Sequence, residues 1–281
     1  MRGVLAAAAL ACALVLPAAA QASFIVDRNA SAASLRISGQ TAIVNWTSRG
    51  ARRSVVLAGA VNSQPPSQSV PQASFHAAYR YGAQAGGSCR PYTGPALLFL
   101  VAACDAPDSS HWALQSWQRL QPNYGGHSAD SELHASHWTG DLPTIEVWLD
   151  WSYDGRFQHV FGRYTYQGQP VHGFRSTGVG SPLDPYGRNL YLDTLDSRYG
   201  PGWRRESSFL AHKPTGVFCY GFYLHGGAPG IGSAYRLSAQ GPGVTPIVSW
   251  SGQALPEYDA AVEQQMNDLQ RSFGDRLCRH N

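Results

Sequence analysis

The chain has 281 residues, a net charge of +3 and only 14% charged residues. Its basic residues are 20 arginines and one lysine. They are scattered, with adjacent pairs only at Arg52-Arg53 and Arg204-Arg205, so the sequence shows no basic stripe and predicts no nucleic-acid partner. Its polar residues are mostly Ser, Thr, Gln, Asn and Tyr, as is common in exported β-rich proteins.

The N-terminus has the three parts of a secretory signal peptide. Arg2 is the positive end, an apolar run follows, and the A-Q-A motif at 20–22 is a small-x-small cleavage site. The apolar run is about long enough to span a bilayer, which takes roughly 20 residues, but Pro17 and the cleavage site favour removal. We predict a cleaved, bacterial Sec-type signal at 1–22 and a secreted, extracytoplasmic mature chain at 23–281 that has no transmembrane segment.

The first structural element of the mature chain is predicted to be a meander of three strands over 33–61. Apolar and polar residues alternate there with period 2, and Gly39 and Gly50 punctuate the runs. The Pro/Ser/Gln-rich stretch 62–72 has no period and is predicted to be a loop.

The stretch 73–255 is predicted to form the main sheet. Its apolar run "GPALLFLVAAC" fits a buried strand or a short buried helix, and the flanking Gly, Pro and Cys residues favour the strand. "SHWALQSWQRLQ" also fits either type and is predicted as a strand, with Trp112 and Leu114 on one face and Trp117 on the other. A β pattern with tight turns continues to residue 255.

Only the C-terminus has the periodicity of a helix. Pro256 stands at a first-turn position, Gly274 is a stop signal, and apolar residues between them repeat at helical spacing. We predict a helix over 256–273. The predicted fold is then mainly β: a single antiparallel two-layer sandwich-like domain, residues 23–281, with one C-terminal α-helix.

Four cysteines remain in the predicted mature chain, and an even number after an export signal indicates two disulfides. Four cysteines allow three pairings. The pairing Cys89–Cys104 with Cys219–Cys278 is favoured because the first pair brackets one short apolar segment. A zinc site is the alternative, but no C-x-x-C or C-x-x-H spacing supports it, so no metal or other cofactor is predicted.

The stretch "WLDWSYDGRFQHVFGRYTYQGQPVHGF" has the pattern of two consecutive hairpins. Asp154-Gly155 predicts a two-residue type I′ turn, and Gln167-Gly168 predicts a second two-residue turn. These turns would set three strands side by side, with an aromatic row between two polar rows on one face. The three predicted rows are Glu146–Arg163–His172, Trp148–Phe161–Phe174 and Asp150–His159–Ser176.

The simplest interpretation of this face is cross-strand pairing for stability, since opposite charges and aromatic pairs contribute roughly 0.2–1 kcal/mol per pair. A related interpretation is a structural or interaction protein that buries the aromatic row in an assembly. The first functional interpretation is glycan or cell-envelope binding, because aromatic rings pack on sugar rings and polar groups bind their hydroxyls. The predicted ligand-binding residues are Trp148, Phe161, Phe174, Arg163, His172, Glu146, Asp150 and His159.

The second functional interpretation is a secreted hydrolase in which Asp150 orients His159 as a general base. Glu146 is a further candidate catalytic group. It lies roughly 13 Å from Asp150 along the strand, whereas the paired carboxylates of glycosidases lie about 5 to 9.5 Å apart. No nucleophile motif is evident, so the sequence leaves open whether the protein is an enzyme.

Two further patterns involve histidine and aspartate. At strand spacing His134 shares a face with Glu132 while His137 points away, so the two histidines cannot bind one ion without a turn between them; at helical spacing they would share a face. Strand alternation also places Tyr191 and Asp193 together, in a stretch rich in Asp, Arg and aromatic residues. This stretch is a second candidate binding region.

The run "SHWTGDLPTIEVWLDWSY", followed by "GRFQHVFGRYTYQGQPVHGF" and "YGRNLYLDTLDSRYGPGW", resembles a family of secreted hypothetical proteins of GC-rich actinobacteria. The resemblance covers most of the mature chain. It implies an exported chain that forms one unit from the meander to the helix, and it implies no activity and no site residue.

Overall fold

A computed structural model gives the fold. The residues that it describes are 24–65, 67, 69–119, 124–126, 128–153, 157–171, 175–176, 182–197, 199–212, 216–223, 232–241, 244–253, 261, 264, 265 and 268. The predicted signal peptide at 1–22 lies outside these residues.

The described residues form 20 strands. In chain order they are β1 (Phe24–Arg28), β2 (Ser31–Ser38), β3 (Thr41–Ser48), β4 (Ala51–Gly59), β5 (Phe75–Tyr81), β6 (Arg90–Pro91), β7 (Leu100–Asp105), β8 (His111–Gln118), β9 (Tyr124–Gly126), β10 (Ser131–Trp138), β11 (Thr144–Tyr153), β12 (Phe157–Tyr166), β13 (Gln169–Pro170), β14 (Arg175–Ser176), β15 (Pro182–Leu183), β16 (Asn189–Ser197), β17 (Gly200–His212), β18 (Val217–Tyr223), β19 (Ala234–Gln240) and β20 (Val248–Gln253).

These strands pair in four antiparallel sheets, which confirms the mainly β prediction. A five-stranded sheet has the order β1-β10-β8-β7-β6, and a four-stranded sheet has the order β2-β3-β4-β5. A nine-stranded sheet follows the path β11-β12-β18-β17-β16-β19-β20, with β13 paired to β12 and β9 paired to β17. The fourth sheet is the short pair β14-β15.

The predicted meander is confirmed as β2, β3 and β4. Two-residue turns join these strands: Gly39 has a φ of 59° in the first turn, and Arg49 and Gly50 have φ values of 51° and 75° in the second. In the second turn positive φ at both central positions is the type I′ geometry, and in the first turn positive φ at Gly39 alone is the type II′ pattern; both match the twist of a hairpin. The described residues of the Pro/Ser/Gln stretch form no strand, as predicted, and β5 follows it as a fourth strand.

The four-stranded and five-stranded sheets share one hydrophobic core. Val44 and Leu57 reach it from the four-stranded sheet, and Trp112, Leu114 and Leu133 reach it from the five-stranded sheet. Trp112 and Leu114 lie in this core and Trp117 does not, as the predicted strand alternation requires. The apolar run before Cys104 is a strand only from Leu100 onward.

The nine-stranded sheet surrounds a second core. Alternate residues of its central strands reach that core, among them Leu190, Leu192, Leu237 and Val160. The end strands β11 and β20 approach each other, although no ladder joins them within the described residues. The curled sheet therefore encloses its own apolar face.

The predicted C-terminal helix lies almost wholly outside the described residues. Only Ala261, Gln264, Gln265 and Asp268 are described there; their backbone is helical, and Gln264 Nε2 donates to Asp268 Oδ1 at 3.0 Å. The described residues do not delimit a helix, so a helix over 256–273 stays a prediction. Within the same residues no helix has the length and apolarity needed to cross a membrane.

The predicted disulfide between Cys89 and Cys104 is confirmed. It links the segment before β6 to β7, and Cys104 is fully buried in the shared core. Cys219 on β18 is buried and also disulfide-bonded. Its predicted partner, Cys278, lies outside the described residues, so the pairing Cys219–Cys278 stays a prediction.

Candidate binding site

The first predicted hairpin forms, but the register near its turn is wrong. Glu146 lies opposite Arg163 as predicted, and a β-bulge at Trp148 then shifts the ladder by one residue, so that Leu149 lies opposite Phe161. A bulge inserts one extra residue into one strand. The last pair before the turn is Tyr153 with Phe157, so three residues, 154–156, separate the two strands instead of the predicted two.

This shift separates the predicted catalytic pair. Asp150 lies opposite Val160, and His159 lies opposite Trp151, so the register that would have joined Asp150 to His159 is wrong. The side chains of Asp150 and His159 lie outside the described part of the structure, and the hydrolase interpretation loses its geometric basis at this hairpin.

The prediction that the aromatic row is exposed and can bind a sugar is wrong. Phe161 is 0% exposed. Trp148 is half-buried, and its ring meets that of Phe161 edge-on, with centroids 5.6 Å apart. The two rings are in contact as predicted, but a buried Phe161 cannot present its face to a sugar, which favours the structural interpretation of this pair.

The second predicted turn is confirmed, but the third strand is not. Gln167 and Gly168 have φ values of 53° and 70°, and the ladder pairs Thr165 with Pro170. It ends at Pro170, which has no N–H with which to extend it. The rest of this edge of β12 pairs with β18.

Strand β18 therefore supplies the neighbours that residues 171–176 were predicted to supply. Arg163 lies opposite Val217 and Phe161 lies opposite Cys219, where the prediction had His172 and Phe174. Those two residues lie outside the described range. The third predicted neighbour, Ser176, pairs with Pro182 rather than with His159.

The polar residues Glu146 and Arg163 of the predicted face do not line a common binding site. Glu146 is exposed on β11. Arg163 is half-buried, and its Nε is buried with no hydrogen-bond partner among the described residues.

A cavity of about 220 Å³ lies between the five-stranded sheet and strands β16, β17 and β19. Its lining residues are Phe99, Ser116, Trp117, Gln118, Ser128, Ala129, Asp130, Ser131, Asp193, Trp203, Arg205 and Arg236. This cavity contains Asp193, from the stretch that the sequence indicated as a second candidate region.

Three charged residues form a row across the floor of this cavity. Asp193 on β16 lies directly opposite Arg205 on β17 and directly opposite Arg236 on β19. Directly opposed residues of neighbouring strands project from the same face. Arg205 Nε lies 3.0 Å from Asp193 Oδ1, and Arg236 Nε lies 3.2 Å from Asp193 Oδ2.

The row holds one more positive charge than negative charge, and it is buried. Asp193, Arg205 and Arg236 are 2%, 3% and 9% exposed. Burial lowers the pKa of Arg236, and the attraction of Asp193 only partly opposes this. Because arginine stays protonated in proteins, the lowered pKa means that the buried charge of Arg236 is incompletely compensated.

Aromatic rings surround both guanidinium groups. The Arg205 guanidinium lies 3.6 Å from the centre of the Tyr191 ring. The Arg236 guanidinium lies 4.2 Å from the Trp203 ring centre and 4.7 Å from the Phe99 ring centre. Such cation–π contacts stabilise a desolvated guanidinium by up to about 2 kcal/mol each. They hold both groups in place without neutralising them.

Trp117 lines the opposite side of the cavity. Its ring stacks on His134, with centroids 3.8 Å apart, and His134 Nε2 lies 3.3 Å from Glu132 Oε2. Burial lowers the pKa of His134, although Glu132 opposes this. Trp117 Nε1 and Arg205 Nη1 are both buried with no hydrogen-bond partner among the described residues, so two donors beside the cavity lack acceptors.

The sequence indicated part of this site. Alternation correctly placed Tyr191 and Asp193 on one face, opposite Leu190 and Leu192. Arg236 was missed because it lies 43 residues from Asp193 in the chain, and no sequence signal fixes a non-local pairing of β16 with β19.

A Ser–His pair that the sequence did not indicate lies elsewhere, under the four-stranded sheet. His137 Nε2 is 2.8 Å from Ser110 Oγ, and His137 Nδ1 donates to the Gly59 carbonyl at 2.8 Å. Ser110 is 2% exposed, and its Oγ donates to Asp108 Oδ1 at 2.6 Å. A nucleophile must reach its substrate, so this group links β10 to the end of β4 rather than acting in catalysis.

The two histidines of β10 lie on opposite faces, as predicted. His137 stacks on Trp112 and His134 stacks on Trp117, each with ring centroids 3.8 Å apart. Within the described ranges no group of three His, Cys, Asp or Glu side chains is placed to hold a metal ion.

Comparison of the chain with known protein families, curated proteins and solved structures finds no match. The chemistry of the cavity is therefore the basis on which a function can be argued.

Proposed function

We propose that this protein binds an acidic saccharide outside the cytoplasm, and that the cavity floored by Arg205, Asp193 and Arg236 holds the carboxylate-bearing sugar unit. The observation that carries the proposal is the charge of the row: two buried guanidinium groups share one carboxylate. The other carboxylate of the lining, Asp130, is exposed and accepts from Asn29 Nδ2 at 3.0 Å rather than from the row, so a further carboxylate, brought by a ligand, would balance the row.

Arginine is suited to this role because its planar N–H groups match a carboxylate with two parallel hydrogen bonds. Asp193 engages the Nε of both arginines. In Arg205 the Nη1 is without a hydrogen-bond partner in the described structure. A buried donor left without an acceptor costs about 1–3 kcal/mol, and an anionic ligand would relieve that cost.

The lining favours a sugar over a bare anion. Trp203, Phe99 and Trp117 supply aromatic rings, and Ser116, Gln118, Ser128, Asp130 and Ser131 supply polar groups for hydroxyls. Ligand pockets are typically about 300–1,000 Å³, and this cavity, at about 220 Å³, is smaller. It fits one sugar unit, either free or at the end of a longer chain.

An extracytoplasmic setting accords with the sequence and with the Cys89–Cys104 disulfide. Disulfides persist in oxidising compartments, and the N-terminus has the pattern of a cleaved signal peptide. Within the same proposal, 23–281 is one secreted unit in which, among the described residues, only the four-stranded and five-stranded sheets pack as two layers, with a C-terminal helix at 256–273, and its ligand is envelope or extracellular glycan.

The proposal is tested by applying the purified protein to an array of neutral and acidic glycans. The matched variants are Arg236→Met, in the cavity, and Arg163→Met, on the double hairpin. Wild type and Arg163→Met should retain uronate-bearing glycans, and Arg236→Met should lose at least about tenfold in affinity, the effect of about 1.4 kcal/mol. Equal binding by all three proteins, or a loss only in Arg163→Met, would remove the cavity as the site. No binding of any acidic glycan by wild type would overturn the function.

A further inference from the structure

The four-stranded sheet has one face on the shared core and one face turned away from it. Leu35, Val44 and Leu57 reach the core from β2, β3 and β4. Because side chains alternate along a strand, the outer face carries the neighbouring residues. Arg36, Arg52 and Arg80 belong to this outer face, on β2, β4 and β5, and all three are exposed.

Nothing acidic balances these arginines within their own sheet. Strands β2 to β5 contain no aspartate or glutamate. Between residues 24 and 91 the chain has seven arginines, no lysine and a single acidic residue, Asp27. The carboxylate of Asp27 accepts a hydrogen bond from Trp46 Nε1 at 2.7 Å. Of these seven arginines, Arg36, Arg52 and Arg80 lie together on the outer face, whereas Arg28 pairs with Glu132 Oε1 at 3.1 Å.

A short segment crosses this outer face. Asn45 Nδ2 donates to the Gln84 carbonyl at 3.2 Å, and the Gln84 N–H donates to Asn45 Oδ1 at 2.7 Å. Farther on, Ser88 pairs with Ile37 on β2. The segment 82–88 therefore runs from the β5 edge across to the β2 edge, and it is fastened at both Asn45 and Ile37.

Between this segment and the sheet lies a cavity of about 380 Å³. Arg36, Arg52, Asn45, Ser34, Thr47 and Gln84 line it, and its lining includes no carboxylate. We propose that this cavity is a second binding site, for an extended polyanionic saccharide whose acidic groups pair with Arg36 and Arg52. It lies on a different sheet from the first cavity and does not depend on it.

The spacing of the two arginines favours an extended ligand. Arg36 lies opposite Ile43, and Arg52 lies opposite Thr47, so the two are two strands and four residues apart. At about 4.8 Å between strands and about 3.3 Å per residue, their Cα atoms are about 16 Å apart. A chain with acidic groups at intervals meets both guanidinium groups, whereas one small anion meets one of them.

The outer face favours a saccharide over a nucleic acid. Proteins that bind single strands stack successive bases on aromatic side chains. The outer-face residues of β5 are His76, Ala78 and Arg80, while Tyr79 and Tyr81 alternate to the other side. The aromatic residue of the cavity lining, Trp46, is 2% exposed and packs in the shared core, so it offers no stacking surface. Hydroxyl and amide groups of Ser34, Thr47 and Asn45 are instead suited to sugar hydroxyls.

The experiment is a fluorescence titration of labelled decameric polygalacturonate in an Arg236→Met background, which removes the first cavity's binding; that parent protein is compared with its Arg36→Gln/Arg52→Gln and control Arg90→Gln/Arg119→Gln derivatives. The two double variants are also made with Arg236 intact. The control removes the same charge from exposed positions outside the cavity. The cavity variant should lose at least about tenfold in affinity and the control less than about threefold, and binding should weaken with added salt because the groups are exposed.

Two further arms separate this site from the first cavity and from other polyanions. Monomeric glucuronate should bind the Arg36/Arg52 variant as it binds wild type, since that ligand belongs to the first cavity. A dT10 oligonucleotide should bind at least about tenfold more weakly than polygalacturonate. Equal loss in the cavity variant and the control, or equal binding of dT10 and polygalacturonate, would overturn the second site, whatever the glucuronate result.

Discussion

Two buried arginine clusters beside the second core and the cavity have similar components and different charge. In the first, which we call the Arg188 cluster, Arg188 Nε pairs with Asp184 Oδ2 at 3.2 Å. The rings of Tyr186, Tyr164 and Tyr166 lie 4.8, 5.5 and 5.8 Å from its guanidinium. The second is the row of Arg205, Asp193 and Arg236 between aromatic rings.

The two clusters differ in the ratio of arginines to carboxylates and in whether a cavity adjoins them. The Arg188 cluster has one cation for one carboxylate, and the Asp184 carboxylate also accepts from the backbone N–H groups of Tyr186 and Arg188. Burial opposes the charge of Arg188, but the Asp184 carboxylate and, once they ionise, the surrounding tyrosines outweigh it, so the pKa of Arg188 is raised. The pKa of Arg236 is lowered. An enclosed arginine whose charge is matched by one carboxylate stabilises the fold. An arginine beside a cavity whose charge is not matched is suited to binding an anion.

The largest expected effect is that of Arg188→Met. It leaves Asp184 buried without its ion-pair partner, which is expected to reduce the free energy of unfolding by about 3–5 kcal/mol. Urea denaturation measures the change. A loss below about 1 kcal/mol would mean that the Arg188 cluster is no more structural than the row of Arg205, Asp193 and Arg236.

The two regions should respond to acid in opposite directions. Burial lowers the pKa of His134 beside the cavity and raises the pKa of Asp184. As the pH falls, the unfolded chain therefore takes up a proton at His134 before the folded chain does. The free energy of unfolding then decreases below about pH 6.5, in total by about 1.4 kcal/mol for each unit by which folding lowers the pKa of His134. Asp184 protonates first in the folded chain, so its contribution is lost as the pH rises through its raised pKa.

Urea denaturation between pH 5 and pH 8 tests this pH dependence. The free energy of unfolding of wild type should fall from pH 7 to pH 5, and the slope should be smaller in His134→Gln. His137, whose pKa burial also lowers, should account for part of the remaining slope. An unchanged slope in His134→Gln would show that His134 titrates alike in the folded and unfolded chains.

A smaller effect is expected when one ring is removed from each cluster. Trp203→Leu and Tyr186→Leu each delete a cation–π contact, with an expected loss of stability of about 0.5–2 kcal/mol. Only Trp203→Leu should also weaken binding of glucuronate, because only Trp203 lines the cavity. Equal weakening of binding by the two variants would erase the functional difference between the clusters.

The smallest expected effect on stability is that of Arg236→Met. It deletes two cation–π contacts and one ion pair, but it also removes the cost of burying an excess charge and leaves Asp193 paired with Arg205. Because these losses and gains oppose each other, the free energy of unfolding should change by less than about 1 kcal/mol. Thermal and urea unfolding measure it. A loss as large as that of Arg188→Met would show that Arg236 is structural.

Local patterns were enough to predict much of the fold. Alternation correctly assigned the faces of Trp112, Leu114 and Tyr191, and Gln167-Gly168 forms the predicted turn. The first hairpin failed because the bulge at Trp148 adds a residue that no local pattern signals, and one extra residue changes every pair beyond it.

The candidate site was harder to predict because its charge balance is non-local. Asp193 and Arg205 lie 12 residues apart in one hairpin, but Arg236 joins them only through the pairing of β16 with β19. The outer arginines Arg36, Arg52 and Arg80 likewise form one surface only after four strands have paired. Sequence separation hides both features because each depends on strand order.

Isothermal titration of wild type and Arg236→Met with glucuronate and with glucose tests the central claim most directly. The two sugars differ in the carboxylate, and the two proteins differ in the excess guanidinium. Wild type should bind glucuronate at least about tenfold more tightly than glucose, a difference of about 1.4 kcal/mol, and Arg236→Met should abolish that preference. Equal affinity of wild type for the two sugars, or an undiminished preference in Arg236→Met, would contradict the account.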